Sequence, residues 1–534
     1  MSSTTVLRLQ GITKRFGSLV ANDAISLDLR AGEVLALLGE NGAGKSTLMS
    51  ILFGHYVADE GRIEVFGAPL APGNPKAALA AGVGMVHQHF TLADNLSVLD
   101  NVTMGTEPLW RPLSRRAAAR ARLLEVAQRF GLPVRPEATI RSLSVGERQR
   151  VEILKALYRG ARILILDEPT AVLTPQESEA LFATLSQMVA QGLSVIFISH
   201  KLGEVLRVSH RVAVLRGGKL VAEAATAGTT QAQLALWMVG HAVEAPQRRP
   251  AKSVGDAVCV LDRVSTAASK SGGQDRLREV SLTLRAGEIT AIAGVSGNGQ
   301  VALAELLCGT RRATAGRAQL MGRALPPSPA RLVQRGVARI PEDRHAVGVV
   351  GDLPVWENAV SERLRSPVFS RGAMFVKRAA ARLHARRIEQ AFDVRGAGLM
   401  APARSLSGGN MQKLILGRAL LPPEQPEPDR DEERKYPTQA PRLIVAHQPT
   451  WGLDIGAVAY VQQQLIAARD AGAAVLVISD DLDEVLALGD RVAVMHGGHL
   501  GGARAASAWT REAIGLAMAG AAASTASTTK KATP

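Results

Sequence analysis

The segment GENGAGKST, residues 39–47, most constrains what this chain can fold into. It completes the pattern G-x-x-x-x-G-K-[ST] with Gly39, Gly44, Lys45 and Ser46, between an apolar strand (33–38) and a helical run (47–53). Apolar strands such as ARILILD (161–167) and SVIFIS (194–199) alternate with amphipathic helices, which argues for an α/β unit with a largely parallel sheet. The glycines let backbone N–H groups of Gly39, Glu40, Asn41, Gly42, Ala43, Gly44, Lys45, Ser46 and Thr47 turn toward an anion at the head of the helix. Lys45 is then placed for the β- and γ-phosphates of a nucleotide, and the Ser46 hydroxyl for Mg2+.

The loop has a broken copy. GVSGNGQV at residues 294–301 puts Gln300 where the lysine stands, an offset of 255, and Val301 in place of the hydroxyl. RVAVLRGGKL at 211–220 returns as RVAVMHGGHL at 491–500, an offset of 280, and LSVGERQR at 143–150 returns as LSGGNMQK at 406–413, an offset of 263. The jump from 263 to 280 requires an insertion of 17 residues. The proline-rich, charged segment PPEQPEPDRDEERKYPTQA (422–440) accounts for it and reads as a surface loop. The chain therefore divides into domain 1 (1–243), a polar linker (244–255), domain 2 (256–520) and a small, polar, disordered tail (521–534). A helical stretch at 97–139 has its equivalent at 355–403.

At 534 residues, two such domains each have ample length for a core. No run of about 18 apolar residues suggests a membrane span, and MSSTTVLRLQ lacks the basic-then-apolar pattern of a secretory signal. Two cysteines, Cys259 and Cys308, suit a reducing compartment and argue against a disulfide framework. The net charge of +15 invites a nucleic-acid partner, but the basic runs at 115–122 and 378–387 lack aromatics for base stacking, so none is expected. Attraction to an anionic membrane surface is the other use for such charge.

Five more elements follow the first loop: Gln88 in GMVHQHF, the segment LSVGERQR, the strand ILILDEPT (163–170) ending in Asp167 and Glu168, AVLTPQE, and His200 closing VIFISH. In that order they resemble ATP-binding-cassette (ABC) ATPases, and the resemblance covers nearly the whole chain, twice. It implies two tandem ABC-type P-loop ATPase domains, each a RecA-like parallel-sheet core with a helical subdomain, packed head to tail. Asp167 then positions Mg2+, and Glu168 polarises the attacking water, a general-base role worth about 10²–10⁴-fold. By the same resemblance His200 contacts the γ-phosphate, Gln88 senses metal and γ-phosphate, and Phe16 stacks on adenine.

The second copy departs from this pattern at its chemical positions. His447 and Gln448 replace Asp167 and Glu168, and Asp480 replaces His200. Its signature LSGGN survives intact, whereas LSVGE in copy one carries Val145 for a glycine and Glu147 for an amide. ABC dimers resemble one another in setting each ATP between one domain's P-loop and the other's signature. Crossing the copies yields one complete site, in which Ser407, Gly408 and Gly409 face the loop of copy one, and one degenerate site.

A fused pair of cassettes without membrane spans resembles the ATPase subunit of the simple-sugar and purine-nucleoside importers, and Gly-Asn-Gly-Gln in the second loop tips the comparison toward nucleosides. The resemblance implies two multi-spanning permease subunits, a substrate-binding lipoprotein or periplasmic protein, and peripheral placement at the cytoplasmic face of the bacterial inner membrane. The competing class is a soluble, non-transport ABC ATPase of translation or DNA repair.

Overall fold

A computed structural model describes the chain apart from residues 1–3, 88–89, 107–114, 171–172, 174, 200, 241–250, 252, 269–274, 296, 373, 425–439, 519 and 521–534. Gln88, His200, the tail and most of the linker and insertion expected above lie outside the described residues. The chain separates into two compact units, Met1–Val243 and Glu244–Pro534.

In unit 1 the central sheet runs, from edge to edge, Lys219–Ala225, Arg211–Arg216, Val34–Gly39, Ser194–Ile198, Ile163–Asp167 and Val83–Val86. All neighbours are parallel except the first pair. Val34–Gly39 and Ser194–Ile198 are buried along their whole length, as near-continuous apolar runs covered on both faces should be. Parallel pairing brings the carboxyl ends of Val34–Gly39, Ile163–Asp167 and Ser194–Ile198 to one edge of the sheet. That edge is where open α/β sheets bind ligands.

A second sheet was not foreseen from the sequence. Leu19–Arg30, Thr5–Phe16, Glu60–Val65 and Ala68–Pro69 form an antiparallel layer. Its inner residues Leu7, Leu9, Ile12, Ile25 and Leu27 share one core with Leu48, Met49 and Leu52 of the helix Lys45–Phe53 and with Leu35, Leu37 and Ile196 of the central sheet. The helix is thus held between two sheets. The helical part comprises Val98–Thr103, Arg116–Arg129 and Val145–Tyr158.

Unit 2 repeats the plan with Val337–Ile340, Leu443–His447, Ala474–Ser479, Ile289–Ala293 and Arg491–His496 as its parallel core. Its antiparallel layer is Val280–Arg285, Ala257–Thr266, Ala313–Leu320 and Arg323–Ala324. The repeat extends to single hydrogen bonds. Buried Asn101 accepts from the Ala93 N–H at 2.7 Å and donates to the Ala93 carbonyl at 3.1 Å. Asn358 makes the same pair with Val350 at 2.8 and 3.0 Å. The stretch expected to be helical at 355–403 also contains a short hairpin, Ser370–Arg371 with Phe375–Val376.

Candidate active site

The glycine loop closes only with glycine at its ends. Gly39 has φ 155°, and a Cβ there would sit 2.5 Å from the Leu215 carbonyl oxygen. Gly44 has φ 97°, and a Cβ there would sit 2.3 Å from the Ala21 oxygen. Gly44 is also the N-cap of the helix Lys45–Phe53 and offers no side chain, so the first-turn N–H groups remain available to an anion. Buried Lys45 donates to the carbonyls of Gly39 at 2.7 Å and Glu40 at 3.0 Å. Burial pulls its ammonium below the ordinary lysine range, while Glu168 and Asp167 pull it back up. Ser46 is exposed at the head of the helix.

Asp167 ends its strand half-buried beside this loop. Burial raises its carboxyl above the usual range and neighbouring Glu168 raises it further, with Lys45 opposing. Glu168 adopts a left-handed backbone, φ 46°, and its N–H donates to the Ile198 carbonyl at 2.9 Å. A non-glycine residue in this region is a strained feature of the kind that collects at functional sites. The hydroxyl of Thr170 donates to Glu204 Oε2 at 2.6 Å, and that of Ser199 donates to the same oxygen at 3.2 Å. One carboxylate therefore ties the turn after Glu168 to the turn that leads to residue 200.

Phe16 is 43% exposed at the end of its strand, and its ring meets Tyr56 edge-on at 5.6 Å between centroids. Tyr56, 46% exposed, escaped the sequence reading. Its signal was an aromatic residue just past the loop helix, two positions after Gly54.

Both signature serines are exposed N-caps. Ser144 heads Val145–Tyr158 in a reciprocal capping box: the Glu147 carboxylate accepts from the Ser144 N–H at 2.8 Å, and the Ser144 hydroxyl accepts from the Glu147 N–H at 3.2 Å. That arrangement lays a negative charge across the helix end an anion would need. Ser407 heads Gly408–Leu420 with no acidic residue in the first turn. It accepts from Asn410 Nδ2 at 2.9 Å, while Asn410 Oδ1 turns away to the Arg395 N–H at 2.8 Å.

The second glycine loop is closed on itself. Gln300 is buried; its Nε2 donates to the Val295 carbonyl at 2.7 Å and its Oε1 accepts from the Asn298 N–H at 3.0 Å. A loop donor that could meet a phosphate is thereby consumed. His447, at the position of Asp167, is held down to about 4 by burial, so it is a neutral ring 3.5 Å from Glu342 Oε2. Gln448 keeps the left-handed turn of Glu168, φ 48°. Burial raises the Glu342 carboxyl, and Asp480, Asp343 and Asp275 raise it further. Where unit 1 has Lys45 and Asp167, unit 2 has the amide of Gln300 and the neutral ring of His447.

In unit 1 the donors fit a nucleotide triphosphate with a hard divalent cation: open helix-end N–H groups, a buried lysine, a hydroxyl and a carboxylate. Among the described residues no helix is long and apolar enough to cross a membrane.

The family model for ABC transporters matches residues 22–171 and again 277–425. The chain is 41% identical over 521 residues to a nucleoside import ATP-binding protein of Lactococcus lactis subsp. cremoris, covering 97% of this chain and 99% of that one. It is 41% identical over 551 residues to a glucose import ATP-binding protein of Haloferax volcanii, covering 97% and 96%. An archaeal ribosome recycling factor, solved in complex with a ribosomal stalk protein, superposes with a TM-score of 0.59 over 96% of this chain and 92% of its own. At 17% identity that likeness is one of fold alone.

Proposed function

This chain belongs to the ABC transporter family as one of its ATPases, and we propose that it energises an importer of nucleosides or simple sugars through one catalytic and one degenerate ATP site. The observation that carries the reading is the complementary placement of intact parts. The open glycine loop, Asp167 and Glu168 lie in unit 1, whereas the signature without a competing carboxylate, Ser407–Asn410, lies in unit 2.

On this reading adenine stacks on Phe16, the amides of residues 39–47 cradle the phosphates, and Lys45 exchanges its bonds to the Gly39 and Glu40 carbonyls for phosphate oxygens. Ser46 and Asp167 would hold Mg2+, with Gln88 beside it, and the ion would neutralise charge on the β- and γ-phosphates. Glu168 takes the proton of the attacking water as its oxygen bonds the γ-phosphorus and the bond to ADP breaks. His200 steadies the transferred group, and Ser407, Gly408 and Gly409 cover it from the other domain, by the anion-binding logic of helix ends. The names of the two relatives support import as the coupled process. Permease partners, a solute-binding protein and the cytoplasmic face of the membrane follow from that process.

The experiment is a pair of blocking substitutions. Ser407→Arg is expected to abolish steady-state ATP hydrolysis, because it obstructs the face opposite Lys45. Ser144→Arg, which would face the loop closed by Gln300, is expected to cause only a partial loss. Greater sensitivity at Ser144 would refute the crossed pairing.

A further inference from the structure

Unit 2 carries an arginine, Arg344, at a position where unit 1 has a phenylalanine. After the strand Val337–Ile340 the chain forms a single π-helical turn, Arg344–Gly348, capped by Asp343, whose Oδ1 accepts from the N–H groups of His345 at 2.9 Å and Ala346 at 2.8 Å. Turns of this type are rare and occur often at functional sites. From it Arg344 donates through Nη1 to the Trp451 carbonyl at 2.6 Å and through Nη2 to the Gly452 carbonyl at 3.0 Å. Its Nε is buried with no hydrogen-bond partner among the described residues. The planar group lies against the signature: a Cβ on Gly408 would stand 3.3 Å from Nη2, 3.4 Å from Nε and 3.5 Å from Cζ. A side chain on Gly408 would therefore crowd the guanidinium.

Unit 1 has neither member of the pair. Counted from the matching strands Val83–Val86 and Val337–Ile340, the position of Arg344 is Phe90, and the position of Gly408 is Val145. Arginine and glycine therefore occur together, on the signature that carries no carboxylate over its helix end, and are replaced together where Glu147 covers it.

We infer that Arg344 is a positioning residue for hydrolysis, tying the turn at Trp451 and Gly452 to the signature so that Ser407, Gly408 and Gly409 present their donors to the γ-phosphate from a fixed, electropositive surface. The inference rests on the crossed pairing proposed above. The loop, base and cation anchor belong to unit 1 and Arg344 to unit 2, so removing it should spare nucleotide binding and slow turnover. A planar, bidentate fork spans two successive carbonyls in a way that an ammonium does not.

The test uses the full chain. Arg344→Met is expected to lower kcat at least about tenfold, on the scale of a lost oriented donor, with KM for ATP and affinity for a fluorescent ATP analogue within about twofold. Arg344→Lys should recover little, and added guanidinium ion should restore part of the turnover of Arg344→Ala. Gly408→Val should crowd the guanidinium and lower turnover, and combining it with Arg344→Met should be no worse than the poorer single. Retention of more than half the turnover by Arg344→Met would overturn the inference. So would additive losses, or a loss that follows the melting temperature and resists guanidinium. Ser407→Arg, measured alongside, separates the two levels. If it is silent, the crossed pairing itself fails. If it abolishes turnover while Arg344→Met does not, only the role of Arg344 falls.

Discussion

Glu168 and Gln448 share a backbone and differ in chemistry. Both stand at a left-handed φ, 46° and 48°, and both donate their N–H to the end of the neighbouring strand, to Ile198 at 2.9 Å and to Ile478 at 2.8 Å. The turn has outlasted the carboxylate, which separates the fold's need for this geometry from the reaction's need for a base. Glu168→Gln should therefore hold its shape and its nucleotide while turnover falls by two orders of magnitude or more, on the scale of about 10²–10⁴-fold for a general base. Gln448→Ala should cost less than about twofold in turnover. Comparable losses in a phosphate-release assay would refute the assignment to a single base. At this scale the sequence showed which groups were present and not where they pointed. Lys45, Asp167 and Glu168 were legible because the motif fixes their spacing. The folding of Glu147 onto Ser144 had a signal that went unread, the Ser-x-x-Glu spacing of a capping box. The closing of the second loop by Gln300 and the contact of Arg344 with Gly408 were not legible, because each depends on a side chain's direction that neither periodicity nor spacing encodes.

Between residue and molecule lies a clamp that both units keep. In unit 1, Glu204 gathers the hydroxyls of Thr170 and Ser199, and Lys201 Nζ lies 3.7 Å from its other oxygen. In unit 2, Glu484 accepts from Thr450 at 2.7 Å, Ser479 bonds it as well, and the position of Lys201 is held by Asp481. Glu484 is buried, and burial chiefly, with Asp481 and Asp480 adding, raises its carboxyl to about 7. The unfolded chain releases this proton near the ordinary 4.5, whereas the folded unit keeps it to about 7. The proton's contribution to stability is therefore full below pH 4.5 and lost as pH rises through 7. Glu484→Gln can still accept from both hydroxyls and never ionises. Its melting temperature should match the parent near pH 5 and exceed it near pH 8; equal gaps at both pH values in a scanning-calorimetry series would contradict this. Elements were legible where burial is two-sided, since strands such as ILILD and SVIFIS are unbroken apolar runs. The antiparallel layer was not, because Thr5–Phe16 and Leu19–Arg30 mix buried and exposed positions with shifts of register. The hairpin Ser370–Val376 escaped for the opposite reason: its apolar residues Met374, Phe375 and Val376 are exposed, so they mark no buried face.

For the molecule as a whole, the proposed task takes place at a bilayer that no helix among its described residues can cross. A polar solute needs a protein pathway through the hydrocarbon core, and the backbone of such a pathway must satisfy its own hydrogen bonds. On the proposed reading, permeases supply that pathway and this chain supplies free energy, as a coupling between nucleotide and transport sites carried by domain movement. Charge offers a rival route to the membrane, because a net +15 would attract anionic lipid directly. The two routes differ in salt dependence. Lipid attraction between exposed charges collapses at about 1 M salt, where screening acts within about 3 Å, whereas a packed protein interface persists. The chain expressed alone should therefore stay in the soluble fraction at physiological salt, with low ATPase activity. Co-expressed with its permeases, it should sediment with inner membranes, survive a wash at about 1 M salt, and hydrolyse ATP faster when the solute-binding protein is loaded. Complete release by that wash would leave lipid attraction as the anchor, and sedimentation with ribosomes would move the protein to the soluble class of ABC ATPases.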